Sequence, residues 1–223
     1  MIDQWLFDWL LTRQNLAGHQ GGLLELGVFQ GKSAIVLGRH LRPGQRFTVC
    51  DLFESPAQTA ANAGEMERWY PELTRSVFEA NYLAFHDSLP QVVQGPSGSI
   101  RDHLAPGSCR FVHIDASHLY DHVSEDLRSA ATLLGPDGVV VLDDYRAEHA
   151  PGVGAAIWEA VFTRGLRPIL LTGQKLYATW GDPAPVQHDL GAWLRERPEC
   201  VAEHQSIAGA DVIRVSHRPR ILL

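Results

Sequence analysis

The feature that most constrains the fold is a pair of short apolar runs, each of which ends abruptly in acidic residues. Residues 111–114 read Phe-Val-His-Ile and are followed by Asp115. Residues 138–142 read Gly-Val-Val-Val-Leu and are followed by Asp143 and Asp144. Continuous apolar runs of this length are typical of buried parallel strands. Because ligands bind just beyond the carboxyl ends of such strands, the runs predict an α/β fold with the three acids at the mouth of one cleft.

Strand-like and helix-like segments alternate along most of the chain. Further strands are predicted near residues 23–27, 46–50, 91–94, 168–171 and 176–180. Helices are predicted near residues 2–18, 31–37, 123–134 and 154–164. Such alternation is typical of a doubly wound sheet with right-handed crossovers, so we expect a seven-stranded, mostly parallel sheet. A C-terminal extension follows, with a helix near residues 190–195 and a strand near residues 212–215.

The organisation of the chain indicates one domain. Its 223 residues are enough for one large α/β domain with a substantial core. The sequence contains no internal repeat, low-complexity segment or clear linker. We therefore expect a single domain over residues 1–223, with an N-terminal helix in residues 1–20 and the extension in residues 181–223.

The composition argues against several partners and compartments. The net charge is −7 and no run of Lys or Arg stands out, so we expect no nucleic-acid partner, because phosphate binding needs concentrated positive charge. The cysteines Cys50, Cys109 and Cys200 lack metal-type spacing and indicate reduced thiols. The first residues carry no basic lead and only a short apolar stretch, which argues against a signal peptide or a membrane span. We expect a cytoplasmic protein.

The first strand-to-helix turn is rich in glycine. Residues 25–31 read Glu-Leu-Gly-Val-Phe-Gln-Gly, and glycines there let the backbone approach a ligand closely. The dinucleotide fingerprint fails because Phe29 occupies its second glycine position, and the P-loop fails because Leu26 occupies its first. Asp51, which ends the second strand, can accept hydrogen bonds from ribose hydroxyls. The alternative is a tight turn whose glycines only pack helix against strand.

The acidic cluster indicates a metal site with a base beside it. Three carboxylates suit a hard divalent cation such as magnesium. We expect no Lys or Arg to balance their charge, so without an ion the three carboxylates would repel one another. His118 follows Asp115 by three residues and suits a proton acceptor. Each of these residues taken alone would more often be a cap, a turn residue or an ordinary surface histidine.

Residues of about 20–160 resemble the bacterial metal-dependent O-methyltransferases that act on sugars of macrolides and related glycosides, the macrocin and mycinamicin type. The resemblance rests on three segments. They read Glu-Leu-Gly-Val-Phe-Gln-Gly-Lys-Ser over residues 25–33, Ile-Asp-Ala-Ser-His-Leu-Tyr over 114–120 and Val-Leu-Asp-Asp-Tyr over 141–145. The resemblance implies a class I, Rossmann-like methyltransferase fold with S-adenosylmethionine and Mg²⁺ as cofactors.

The resemblance also implies roles for individual residues. Asp115, Asp143 and Asp144 would hold magnesium, and His118 would be the general base. The residues expected near S-adenosylmethionine are Glu25, Gly27, Gly31, Ser33, Asp51, Ser97 and Asp115. The chain departs from the family pattern in having Asp143 where some members have Glu. It also has Gly-Pro-Ser over residues 95–97, whereas Gly-Asp-Ser is common in the family, so Pro96 replaces an aspartate.

The acceptor is expected to be a hydroxyl of a sugar or glycoside, either a small molecule or an oligosaccharide. Polar neighbours of the acidic motifs favour hydroxyl recognition over a flat apolar ring. Two alternatives stay open, namely a catechol-type O-methyltransferase and a non-catalytic module that binds metal or nucleotide. Residues 56–86 and the C-terminal tail are the segments from which acceptor specificity or homodimer contacts are expected.

Overall fold

A nine-stranded sheet forms the centre of the computed structural model, which describes residues 2–207 and 209–218. The strands are β1 Gly22–Leu26, β2 Phe47–Asp51, β3 Gln91–Gln94, β4 Cys109–Ile114, β5 Leu134–Leu142, β6 Arg167–Leu171, β7 Leu176–Thr179, β8 Cys200–Ile207 and β9 Ala210–His217. Their order across the sheet is β3-β2-β1-β4-β5-β7-β6-β9-β8. The first seven form the predicted doubly wound sheet, which is confirmed.

Parallel pairing dominates the first part of the sheet. Strands β1 to β5 pair in parallel, whereas β7 runs antiparallel to both β5 and β6. The C-terminal extension contains a helix and two strands rather than the helix and one strand predicted. These strands, β8 and β9, form an antiparallel hairpin, and β9 joins the sheet beside β6.

Helices cover both faces of the sheet. They are α1 Ile2–Leu16, α2 Lys32–Gly38, α3 Ala60–Trp69, α4 Arg75–Leu83, α5 Tyr120–Leu133, α6 Pro151–Thr163 and α7 Ala184–Arg195, with a 3₁₀ helix over Ser97–Asp102. Successive strand residues point to opposite faces, so Val139 packs with α1 and α7 while Val140 packs with α5 and α6. Burial on both faces explains why the strands read as continuous apolar runs. Within the described ranges, none of the helices is long and apolar enough to span a bilayer.

The register of the sheet aligns four strand ends along one edge. Leu26 of β1 pairs with Ile114 of β4, Ile114 pairs with Leu142 of β5, and Leu142 pairs with Leu176 of β7. The chain therefore leaves or enters these four strands side by side. The residues just beyond these ends are Gly27, Asp115, Asp143 and Lys175.

The segment of residues 56–86 contains two helices, α3 and α4, each with a threonine cap. The Thr59 hydroxyl accepts a hydrogen bond from the backbone N–H of Asn62 (3.1 Å) at the start of α3. The Thr74 hydroxyl accepts one from the N–H of Val77 (3.3 Å) at the start of α4. Such caps satisfy orphan helix donors and define where each helix begins.

Candidate functional site

The glycine turn after β1 is fixed by packing against β4. Gly27 and Gly31 have φ angles of 79° and 90°, in the left-handed region that favours glycine. A Cβ at Gly27 would lie 2.1 Å from the backbone oxygen of Asp115, and one at Gly31 would lie 3.0 Å from the Phe78 ring. Backbone conformation and close packing therefore explain why glycine occupies both positions, and this explanation does not depend on a bound ligand.

Asp51 braces this turn with its carboxylate. Its Oδ2 accepts hydrogen bonds from the backbone N–H groups of Val28 (2.7 Å) and Phe29 (3.0 Å), and its Oδ1 accepts one from Phe53 (3.3 Å). Burial raises the pKa of Asp51, and these backbone donors oppose that rise. The ends of β1 and β2 are thus tied together, and the remaining acceptor capacity of the carboxylate faces the adjoining cleft.

The cleft beside the turn has a volume of about 390 Å³, within the range of small-molecule pockets. Gly27, Asp51, Ser97 and Asp115 line it, so the structure brings four predicted cofactor residues together. The other three predicted cofactor residues, Glu25, Gly31 and Ser33, are not among its lining residues. The acids Asp51, Glu65, Asp115, Asp121 and Glu125 line it, and no Lys or Arg among the described residues does.

Glu25 lies buried in β1 against a histidine of β4. Its Oε1 is 2.7 Å from Nδ1 of His113, while its Oε2 has no hydrogen-bond partner among the described residues. Burial raises the pKa of Glu25 to about 8, and the Ser33 hydroxyl opposes this rise. Burial also lowers the pKa of His113 well below its ordinary value. A buried polar pair therefore links the first strand to the strand that ends at Asp115.

Lys175 is a site residue that the sequence argument missed. Its Nζ lies 3.1 Å from Nε2 of His113 and forms an ion pair with Oδ2 of Asp143. The expectation that the acids lack a basic partner is therefore wrong, because the turn between β6 and β7 brings this lysine back from 32 residues along the chain. The sequence feature that could have identified Lys175 is its position as a single lysine between two apolar strands.

The three acids divide into two groups. The inner set, as we name it, consists of His113, Asp115 and Asp143, and the outer set consists of His118, Asp144 and His149. Asp144 has a φ angle of 55°, a left-handed conformation that is uncommon for residues other than glycine. At this turn, the two adjacent carboxylates of Asp143 and Asp144 belong to different sets of neighbours.

Electrostatics differ between the two sets. Burial and the neighbouring Asp143 raise the pKa of Asp115 well above its ordinary value. In the outer set, Nε2 of His118 lies 3.3 Å from Oδ2 of Asp144. This contact raises the pKa of His118 and lowers the pKa of Asp144. The inner set therefore favours a neutral Asp115 or a cation beside it. In the outer set, an acid is placed to stabilise the protonated form of a neighbouring histidine.

The possible donor atoms of each set lie close together. Within each set, one possible ligand atom from every residue lies within 4.8 Å of the others. The inner set contains two of the three predicted magnesium ligands, Asp115 and Asp143, whose mutual repulsion a cation would relieve. The third predicted ligand, Asp144, belongs to the outer set. One oxygen of Asp143 is already paired with Lys175.

Glu65 of α3 holds the segment that carries His118. Its carboxylate accepts hydrogen bonds from the Ser117 hydroxyl (2.7 Å) and from the backbone N–H of His118. Its Oε1 also lies 3.5 Å from Nδ1 of His118. The sequence analysis missed Glu65, because its burial on a helix, which is unusual for an acid, becomes visible only in the structure.

Aromatic residues of α3 and the glycine turn form a rim beside His118. The Tyr70 ring lies 6.4 Å from the His118 ring, and the Phe29 ring lies 5.7 Å from Tyr70. The Trp69 ring lies 5.3 Å from His149. Trp69 and Phe29 remain 45% and 42% exposed. The site therefore has aromatic as well as polar neighbours, and the aromatic residues come from outside both acidic motifs.

A family model described as a methyltransferase domain matches residues 24–145 of this chain. This span includes the glycine turn, the cleft and all three acids of the two motifs. A comparison with curated proteins finds no match.

Solved structures similar to this chain include several methyltransferases. The O-methyltransferase NovP has a TM-score of 0.62 and 16% identity, over 81% of this chain and 80% of that one. CalS11, described as a TDP-rhamnose 3'-O-methyltransferase of calicheamicin biosynthesis, has a TM-score of 0.55 and 19% identity, over 82% and 80%. Cofactor-bound Rv0187 from MTB has a TM-score of 0.56 and 19% identity, over 80% and 81%. At these identities, the similarity demonstrates a shared fold.

Proposed function

The chain belongs to the methyltransferase-domain family, and on that premise we propose that it transfers a methyl group from S-adenosylmethionine to a hydroxyl oxygen. The observation that carries the proposal is the continuity of the acidic cleft with His118. Asp115 and Ser117 line the cleft, and His118 follows them directly beside Asp144. A cofactor in the cleft would thus be next to a group able to accept a proton.

The charge of the cleft supports this cofactor. Five acids and no Lys or Arg of the described residues line it, which favours a cationic ligand over an anionic one. S-adenosylmethionine carries a positive sulfonium, whereas nucleotide phosphates require basic side chains or helix N-termini. The lack of Lys and Arg in the described lining therefore favours S-adenosylmethionine over a nucleotide held by basic side chains. We propose that Asp51 accepts from the ribose and that Ser97 lies near the adenine.

His118 is proposed as the general base. A hydroxyl attacking the methyl group must lose its proton, and a neutral imidazole is suited to accept it. Glu65 fixes the backbone of His118, and Asp144 stabilises its protonated form. Alignment of the oxygen, methyl carbon and sulfur supplies much of the remaining rate enhancement.

Magnesium is the second proposed cofactor. Asp115, Asp143 and Asp144 are the residues that would hold it, with Asp144 approaching from the outer set. When bound, a divalent cation lowers the pKa of a coordinated hydroxyl and fixes its position. The test is chelation, since removal of the ion should abolish turnover and its return should restore it. Full turnover after exhaustive chelation would contradict the metal requirement.

The proposed acceptor is a sugar or glycoside. The polar neighbours of the acidic motifs support it, as does the similarity to a protein named as a TDP-rhamnose 3'-O-methyltransferase. The aromatic rim formed by Phe29, Trp69 and Tyr70 favours a second candidate, a catechol-type acceptor, because aromatic side chains hold flat rings well.

A turnover assay with S-adenosylmethionine, magnesium and a panel of acceptors tests these assignments. The panel should contain methyl glycosides and oligosaccharides beside simple catechols. Methylation of sugars with higher catalytic efficiency than catechols supports the first proposal, and the reverse preference supports the second. Binding of the cofactor without turnover of any diol would favour a non-catalytic module.

Other properties belong to the same proposal. They are a single domain over residues 1–223, a cytoplasmic location, a homodimeric assembly and the lack of nucleic-acid and membrane partners. Size-exclusion chromatography with light scattering tests the assembly.

A further inference from the structure

Lys175 differs in burial from the other lysine of this protein. Lys32 and Lys175 are the two lysines in the chain, whose remaining basic residues are arginines and histidines. Lys32 is exposed at the start of α2, whereas Lys175 is only 9% exposed. Lysine is almost never buried without a partner, so the position of this side chain calls for a physical reason.

The contacts of Lys175 hold its ammonium in one place. Nζ lies 3.1 Å from Nε2 of His113, pairs with Oδ2 of Asp143 and lies 5.7 Å from the centre of the Phe7 ring. Its backbone is also fixed, because its N–H donates to the Thr172 hydroxyl (2.9 Å) and its carbonyl accepts from the Thr172 N–H (2.9 Å). The turn between β6 and β7 thus delivers a positive charge to the inner set.

The ammonium also orders a chain of buried polar groups across four neighbouring strands. An ammonium can only donate hydrogen bonds, so Nε2 of His113 accepts from Lys175 and Nδ1 carries the proton. That proton points to Oε1 of Glu25, 2.7 Å away. The chain runs from Glu25 on β1 through His113 on β4 to Lys175 before β7, and then to Asp143 after β5.

A divalent cation and the Lys175 ammonium are both attracted to the negative carboxylate of Asp143. If both lie beside this carboxylate, their positive charges repel one another. Lys175 has no other described carboxylate partner for its ammonium. Metal binding through Asp143 must therefore displace the ammonium or overcome its repulsion.

We propose that Lys175 is the built-in counter-cation of the inner set and that it competes with a divalent cation for Asp143. It is a positioning residue, because it acts through Asp143 and His113 and not on the reacting atoms. Its effect is to weaken metal binding and to hold Asp143 in place when no ion is bound. The inference rests on the proposed use of a divalent cation.

Metal affinity, measured without turnover, tests this inference. Mn²⁺ is titrated calorimetrically into the wild-type protein and into the Lys175→Met, Lys175→Arg and Lys32→Met variants. Lys175→Met should bind Mn²⁺ more tightly than the wild type, by about tenfold or more, because loss of the ammonium removes its repulsion of the metal ion. Lys175→Arg, which keeps the charge, and Lys32→Met, which alters the exposed lysine, should stay close to the wild type.

A second measurement uses the wild-type protein, so it does not depend on the folding of a variant. With ¹³C at the lysine Cε, the chain gives two signals, one from Lys175 and one from Lys32. Saturating Mg²⁺ should shift the Lys175 signal as the ammonium leaves Asp143, and the Lys32 signal should stay in place.

The outcomes separate this inference from the proposed function. Equal or weaker Mn²⁺ binding by folded Lys175→Met, or an unmoved Lys175 signal at saturating Mg²⁺, overturns the competition alone. If neither the wild type nor Lys175→Met binds Mn²⁺ at millimolar concentration, both the metal requirement and the competition are overturned. Methyl transfer itself is then decided by the turnover assay.

Discussion

Replacing Asp126 with Asn should remove a pH-dependent loss of stability. Asp126 lies on α5, which packs against the 3₁₀ helix that begins at Ser97. It is completely buried, and neither carboxylate oxygen has a hydrogen-bond partner among the described residues. Burial raises the pKa of Asp126 from 3.8 to about 7.

The sign of the effect follows from proton linkage. The folded protein holds the Asp126 proton more tightly than the unfolded chain does. The resulting stability is therefore fully present below the unfolded pKa and is lost as the pH rises through about 7. With pKa values of 3.8 and about 7, this group lowers the free energy of unfolding by about 2–3 kcal/mol between pH 5 and pH 8. Asn does not titrate and should not show this loss.

Urea unfolding followed by tryptophan fluorescence at pH 5, 6, 7 and 8 measures the difference between Asp126→Asn and the wild type. The difference in the free energy of unfolding should grow in favour of the variant by about 2–3 kcal/mol across this range. Ser129→Ala is a matched control, because Ser129 is also buried on α5, its hydroxyl has no partner in the described part of the chain, and it does not titrate. A difference for Asp126→Asn that stays as constant as that of the control would refute the reasoning.

Three further predictions concern the site. His118→Ala should slow turnover by about 10²–10⁴-fold without changing cofactor affinity; the wild-type rate should rise with pH about a midpoint above 6.5, because Asp144 raises the pKa of His118 and only the neutral ring accepts a proton. Near-normal turnover or an unchanged pH profile in the variant would remove His118 as the base. Asp51→Ala should weaken S-adenosylmethionine binding by about 1–3 kcal/mol in calorimetry, and unchanged affinity would place the ribose contact elsewhere. Gly27→Ala should destabilise the fold by about 1–3 kcal/mol more than Gly44→Ala in urea unfolding, because both glycines have similar φ angles but only Gly27 would clash with Asp115; equal losses would show that the clash is relieved at no cost.

The sequence by itself determined the sheet and the edge at which the site lies. Strand positions follow from short apolar runs, and the alternation with helices predicts a doubly wound sheet because chain connections obey handedness and distance rules. Asp51 is the last residue of its strand and Asp115 directly follows its own, so parallel register brings both to one cleft. The C-terminal hairpin was foreseen only in part, since β8 is largely exposed and lacks a continuous apolar run.

Only the tertiary structure decided which side chains surround the acids. Asp143 and Asp144 lie in different sets because Asp144 has a left-handed backbone conformation, which no pattern in the acidic motif predicts. Lys175 and Glu65 reach the site because β7 lies antiparallel to β5 and because α3 packs over the loop after β4. Hydrophobic periodicity and turn sequences depend on residues that are close together in the chain. The ion pair of Lys175 and the aromatic rim beside His118 depend instead on the order of the strands and the placement of the helices. Those are set by packing among residues far apart in the chain.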